Sequence, residues 1–270
     1  MAPRAVVEFG LDDLRSDDVR FLQEAAKVGP LHVRVPSDAL FEHQTGHPPR
    51  FPAAVRLFLA RSLRWVTSAE LVDTPIVDGL DALTAAGAVL GVRGEDDDPV
   101  LRATARTAGL DVRVVTPDDR AGFPVYEPEP LPAGARTAIV TGCFDWLHSG
   151  HIRFFMDAAQ YGPLYVVIGS DRNVRLLKGE GHPLQGEDER RYMVGSMKPV
   201  YRCLVSSGSG WMDAEPEIDE LQPTFYVVND DGDKPEKQAF CAAHGLTYTV
   251  LQRVPHEGLP ARSSTDLRGF

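Results

Sequence analysis

Short apolar runs alternate with segments of helical spacing along most of this chain. In the C-terminal half, residues 137–141 form a β-branched run, followed by a turn-prone Gly142-Cys143-Phe144-Asp145. Residues 149–159 then place Ile152, Phe155, Met156 and Ala159 on one helical face. The pattern continues as a wholly apolar strand at 164–168, a helix over 187–197 and strands at 202–205 and 225–228. A helix over 235–244, a strand at 246–251 and a final helix opening at Ser264-Thr265 complete it. Strands that are apolar on both faces and alternate with helices predict a parallel sheet covered on both sides. Ligands of such sheets lie at the carboxyl ends of the strands, where helices begin.

The N-terminal half carries the same pattern because it is a diverged copy. Setting residues 5–38 over 138–171, at an offset of 133, gives 15 identities in 34 positions. Unrelated sequences would give roughly two or three. The matches include Asp12 with Asp145, Arg20-Phe21 with Arg153-Phe154, and Gly29-Pro30-Leu31 with Gly162-Pro163-Leu164. After a one-residue slip, Arg56 falls on Arg190. Between the copies, residues 116–136 hold five of the 21 prolines, a composition that reads as a linker. The expected division is a first domain over 1–116, a linker over 117–136 and a second domain over 137–270.

Composition narrows the classes. With 43% hydrophobic and 25% charged residues, the 270-residue chain has the makeup of an ordinary globular protein. No apolar run approaches the ~18 residues of a spanning helix, and the N-terminus reads as a strand without a signal-peptide core. Three scattered cysteines suit a reducing compartment, so a cytoplasmic location is expected. The formal charge of -11 repels nucleic acid and anionic lipid, and neither is expected as a partner. An anionic ligand therefore needs a local cluster of positive groups.

That cluster is legible after the first strand of the second copy. His148 and His151 stand three apart at the start of a helix, so both rings lie on one face near free backbone N–H groups and the positive end of the helix dipole. Gly142 and Gly150 leave room for a nucleotide to approach the backbone.

This half resembles the cytidylyltransferase-type nucleotidyltransferases, whose signature is a His-x-Gly-His box after a Gly-x-Phe-Asp turn. Lys178-Gly179, Arg190, Asn229-Asp230-Asp231 and Ser264-Thr265 follow in the family's order. The tandem layout resembles the ethanolamine-phosphate cytidylyltransferases, and residues 170–179 and 233–236 also resemble heptose-1-phosphate adenylyltransferases. The fold implied is two tandem doubly wound, Rossmann-like α/β domains.

The reaction implied is attack of an acceptor phosphate oxygen on the α-phosphorus of a nucleoside triphosphate, with release of pyrophosphate. Catalysis then rests on alignment and charge stabilisation. The resemblance assigns His148 and His151 to the triphosphate, and Lys178 and Arg190 to neutralising the breaking bond. It assigns Ser264, Thr265 and Arg262 to the β- and γ-phosphates, and the turn residues Gly142, Cys143, Phe144 and Gly150 to nucleotide binding. Asp145 is the candidate Mg2+ ligand, though it could equally cap the helix, and Asp230 or Asp231 faces the ribose or base. CTP is the favoured donor, with a small phosphorylated alcohol or a phosphonate as acceptor. The alternatives are adenylyl transfer from ATP to a sugar phosphate, or a nucleotide-sensing module without turnover.

In the first copy Gly142 becomes Phe9, His148 becomes Arg15, Gly150 becomes Asp17 and His151 becomes Asp18. Two carboxylates there repel a triphosphate, so this copy is expected to be degenerate. The expected assembly is an intrachain pseudo-dimer, with a homodimer as an alternative. His182, which recurs as His47, is expected to be structural.

Overall fold

The computed structural model describes residues 3–262, so Ser264 and Thr265, which the resemblance assigns to the β- and γ-phosphates, lie outside the described residues. The chain divides into two compact units, Met1–Gly122 and Phe123–Phe270. The first unit runs β1 (Arg4–Glu8), α1 (Ser16–Ala25), β2 (Leu31–Pro36), α2 (Asp38–Thr45), α3 (Ala53–Ser62), β3 (Val66–Val72), α4 (Leu80–Ala85), β4 (Ala88–Arg93), α5 (Pro99–Thr107) and β5 (Asp111–Val115). The second runs β6 (Ala138–Gly142), α6 (Ser149–Ala158), β7 (Leu164–Ile168), α7 (Asp171–Lys178), α8 (Glu187–Gly195), β8 (Val200–Val205), α9 (Glu215–Leu221), β9 (Phe225–Asn229), α10 (Pro235–Ala243) and β10 (Thr247–Leu251).

Each unit holds one five-stranded, wholly parallel sheet. The orders are β3-β2-β1-β4-β5 and, read from the matching edge, β8-β7-β6-β9-β10. Both are doubly wound Rossmann-like sheets, as the apolar strands required. The central strands are buried on both faces, including Ile139 and Val140 of β6 and Val166 to Ile168 of β7. In each unit the chain reverses direction across the sheet between its first and fourth strands, which opens a crevice at their carboxyl ends.

The duplication reaches backbone detail. The β2–β3 register slips between Leu31 and His32, and the β7–β8 register slips at the matching Leu164 and Tyr165. Leu11 and Phe144, one repeat apart, are both non-glycine residues in the left-handed region, with φ of 53° and 49°. A Cβ on Gly29 would stand 1.9 Å from the Pro3 carbonyl oxygen, and one on Gly162 would stand 2.3 Å from that of Arg136. The chain entering each sheet thus crosses directly over a turn that has no room for a side chain.

Two helices of the second unit have no counterpart in the apolar periodicity. In α7 the leucines at 176 and 177 are exposed, and the helix starts instead from a cap, the Ser170 hydroxyl accepting from Asn173 N at 3.2 Å. The short α9 opens with Glu215-Pro216, a proline in the first turn. The proline-rich stretch divides between the units. Arg120 is buried in the first, where it pairs with Asp17 and Glu95. In the second, the Tyr201 hydroxyl donates to the Glu129 carbonyl and Arg202 pairs with Glu127. Among the described residues, no helix is long and apolar enough to cross a membrane.

Candidate active site

A cavity of about 690 Å3 opens at the carboxyl ends of β6 and β9, over the N-terminus of α6. Gly142 ends β6 on its wall. Phe144 follows in the left-handed conformation, its ring edge-on to His151 at 5.3 Å and to Phe155 at 5.0 Å. This contact carries the chain from the strand into the helix and sets the height of the His151 ring.

His148 is the N-cap of α6. Its Nδ1 accepts from Gly150 N at 3.1 Å, so the neutral ring carries its proton on Nε2. Burial, reinforced by the Arg253 and Arg262 cations, pushes its pKa down to about 4, and the ring is neutral near pH 7. His151 stacks on it with ring centroids 3.9 Å apart, and burial holds its pKa well below the ordinary value. His148 Nε2 and His151 Nδ1 are both buried without a hydrogen-bond partner. Orphaned polar nitrogens cost free energy unless something fills the space in front of them. Gly150 completes the cradle: a Cβ there would stand 3.0 Å from the His148 ring.

Around this pair the cavity gathers Cys143, Lys178, Asp231 and three groups that pattern reading did not place: His182, Lys237 and Arg253. Arg253 pairs with Asp231 and donates to the Arg262 carbonyl at 3.0 Å. Lys237 donates to the Gly232 carbonyl at 3.2 Å, and burial lowers its pKa. Asp230 lies beside this group, exposed, its Oδ1 accepting from Asp231 N at 2.9 Å. His182, Lys237 and Arg253 stand in separate segments, after β7, β9 and β10, and only the fold brings them to one cavity.

Arg190 requires a correction. It is fully buried, and its guanidinium donates to the Gln185 carbonyl at 2.9 Å, the Cys143 carbonyl at 2.9 Å and Asp171 Oδ1 at 2.7 Å. It therefore fastens α8 and α7 beneath the Gly142–Asp145 turn and presents nothing to a phosphate.

Asp145 is likewise occupied. Its Oδ1 accepts from Leu184 N and Gln185 N, and its Oδ2 from Leu184 N, each at 2.9 Å. Asp12, its counterpart in the first unit, accepts from Arg50 N and Phe51 N in the same way. The shared geometry makes the carboxylate a staple for the following loop. Its oxygens, committed to backbone donors, do not fit a direct Mg2+ ligand.

The first unit has a crevice of about 450 Å3 at the equivalent place. Phe9 stands where Gly142 does, with Arg93 stacked over its ring at 5.4 Å. Arg93 also pairs with Asp17 and with Asp18, the latter at 2.9 Å. The helix terminus that receives an anion in such folds is here satisfied by the chain's own ion pairs.

This geometry places the second unit among doubly wound α/β folds with a cavity at the carboxyl ends of the strands, and the comparisons define the class. The cytidylyltransferase-like family matches residues 139–268, and the chain belongs to that family, part of the nucleotidyltransferase superfamily. Among its relatives, the FAD synthase of Aciduliprofundum boonei is 33% identical over 117 residues, which cover 42% of this chain and 75% of that protein. The bifunctional protein HldE of Geobacter sulfurreducens is 36% identical over 99 residues, 36% of this chain but only 20% of HldE. Among solved structures, the lipopolysaccharide core biosynthesis protein of Thermoplasma volcanium GSS1 is 24% identical, with a TM-score of 0.39, over 46% of this chain and the whole of that one.

Proposed function

We propose that the second unit transfers a nucleotidyl group from a nucleoside triphosphate to a small phosphorylated alcohol or a phosphonate, releasing pyrophosphate. The observation that carries this reading is the stacked pair His148 and His151. Each has a buried, unpartnered ring nitrogen at a helix N-terminus inside a cavity that also holds Lys178 and Arg253.

The acceptor brings its own nucleophilic oxygen, so no protein nucleophile is required. His148, neutral and carrying its proton on Nε2, donates to a phosphate oxygen. The α6 N–H groups and Lys178 stabilise the charge that grows on the α-phosphate, and Arg253 stabilises that on the leaving group. Mg2+, where the reaction uses it, would neutralise phosphate charge, and no carboxylate of this chain is assigned to hold it.

CTP is the donor that the sequence resemblance favours. A second reading, ATP, is supported by the likeness to FAD synthase over three quarters of that protein, because FAD contains an adenylyl group. Measuring pyrophosphate release across four nucleoside triphosphates decides the donor. The acceptor panel comprises phosphoethanolamine, phosphocholine, glycerol phosphate, heptose phosphate and simple phosphonates. Tight nucleotide binding with no release under any pairing favours a sensing module instead.

A further inference from the structure

The cavity's donors stand on two sides. The Arg262 carbonyl lies over Gly150, 3.5 Å from where a Cβ would stand, and Arg253 donates to that carbonyl. Arg253 follows β10, whereas Lys178 ends the helix after β7, so the two reach the cavity from opposite sides of β6. The cavity therefore has an Arg253 and Arg262 side and a Lys178 side. In-line displacement puts the incoming oxygen opposite the departing one. With the β- and γ-phosphates at the Arg253 and Arg262 end, the acceptor enters at the Lys178 end.

His182 stands there. It follows Lys178 by a short loop whose Gly179 and Gly181 have φ of 85° and 83°. Its ring lines the cavity, and its Nδ1 is buried without a hydrogen bond, 3.8 Å from Asp145 Oδ2. The first unit shows how this placement arises. Asp12 and Asp145 fix Arg50 and Leu184 at equivalent points, but Gly46-His47-Pro48-Pro49-Arg50 contains one residue more than Gly181-His182-Pro183-Leu184. With the extra proline, His47 turns its Nδ1 to the Pro48 carbonyl at 3.1 Å and sets its ring edge-on to Phe41. The shorter loop draws His182 toward Asp145 and the cavity, in the unit that keeps the paired histidines.

Resting on the nucleotidyl-transfer reading, we propose that His182 binds the phosphate or phosphonate head of the acceptor, on the side of the cavity away from the departing pyrophosphate. Asp145 positions the ring, and Lys178 supplies a positive group to the same head. This replaces the structural role expected for His182.

The test follows the histidine Cε1–H resonances of the full chain by NMR, assigned by substitution. A nucleotide analogue that cannot be cleaved between its α- and β-phosphorus is added first, and methylphosphonate or inorganic phosphate second. The nucleotide alone should shift His148 and His151, and His182 should move only on the second addition. His182→Gln should weaken methylphosphonate binding about tenfold, and His182→Arg should restore it, as a charge-assisted hydrogen bond requires. Nucleotide affinity should change by less than about twofold in both variants. A His182 shift with nucleotide or pyrophosphate alone would place the residue at the leaving group and overturn the proposal. So would an unmoved His182 while His148 and His151 respond. If no histidine responds to any nucleotide, the nucleotidyl-transfer reading itself falls.

Discussion

Arg56 and Arg190, one repeat apart, make the same three bonds. Arg56 donates to the Phe51 carbonyl at 3.0 Å, the Gly10 carbonyl at 3.0 Å and Asp38 Oδ1 at 2.8 Å, matching Arg190 with Gln185, Cys143 and Asp171. A guanidinium kept in this geometry by the unit without paired histidines is scaffold. Arg190→Ala should therefore destabilise the second unit by roughly 3 kcal/mol or more, because it leaves buried carbonyls unpaired. Denaturant unfolding checks this. A folded variant of normal stability that had lost only turnover would return Arg190 to the chemistry.

His148→Ala and His151→Ala should each lower turnover by about two to three orders of magnitude, as loss of a transition-state donor does. Circular dichroism should show the fold retained. Near-normal pyrophosphate release from either folded variant would contradict the site.

Gly150→Ala should lower turnover by about tenfold without removing any functional group. Its Cβ would meet the His148 ring at 3.0 Å, so the ring must give by a few tenths of an ångström and lose its alignment. Turnover should fall while the melting temperature changes little. Full activity would mean that the ring is free to give way.

Acid should act on this site through His148. Its pKa is lowered to about 4 in the fold from an ordinary 6.5, so between those values the unfolded chain binds the proton and the folded chain does not. The contribution to stability is therefore complete above pH 6.5 and is lost as the pH falls toward 4. Ligand-free unfolding measured from pH 6.5 down to 4 should show a shallower loss of stability for His148→Gln than for the wild type, because the variant lacks this titrating ring. An unchanged slope in the variant would assign the acid sensitivity elsewhere.

Restoring histidine, glycine and histidine at positions 15, 17 and 18 should not create a second nucleotide site. Phe9 still fills the place of Gly142, Arg93 loses Asp17 and Asp18, and Arg120 loses Asp17. Calorimetric titration should give the same stoichiometry as the wild type, together with reduced stability. A second binding event would show that the acidic pair alone had closed the crevice.

The alternation of strands and helices, the duplication and the paired histidines were legible because each is written locally, in apolar runs or in spacing along one helix. Arg190 was misread although its pairing with Arg56 was visible in the sequence: a residue shared with the degenerate copy is better evidence of scaffold than of chemistry. His182, Lys237 and Arg253 come together only when the loops after β7, β9 and β10 fold over one cavity. No single segment carries that signal. The short α7 and α9 were missed because capping, with little buried apolar surface of their own, defines them.

Gly29 and Gly162 offer independent control over the two copies. Each sits under a carbonyl just before the first strand of its own unit, so one added methyl group acts on a single unit and leaves the other sequence untouched. A matched pair of alanine substitutions thus works as two separate circuit breakers. Their cost to turnover, compared side by side, reads out how far activity in one copy depends on the integrity of its sibling.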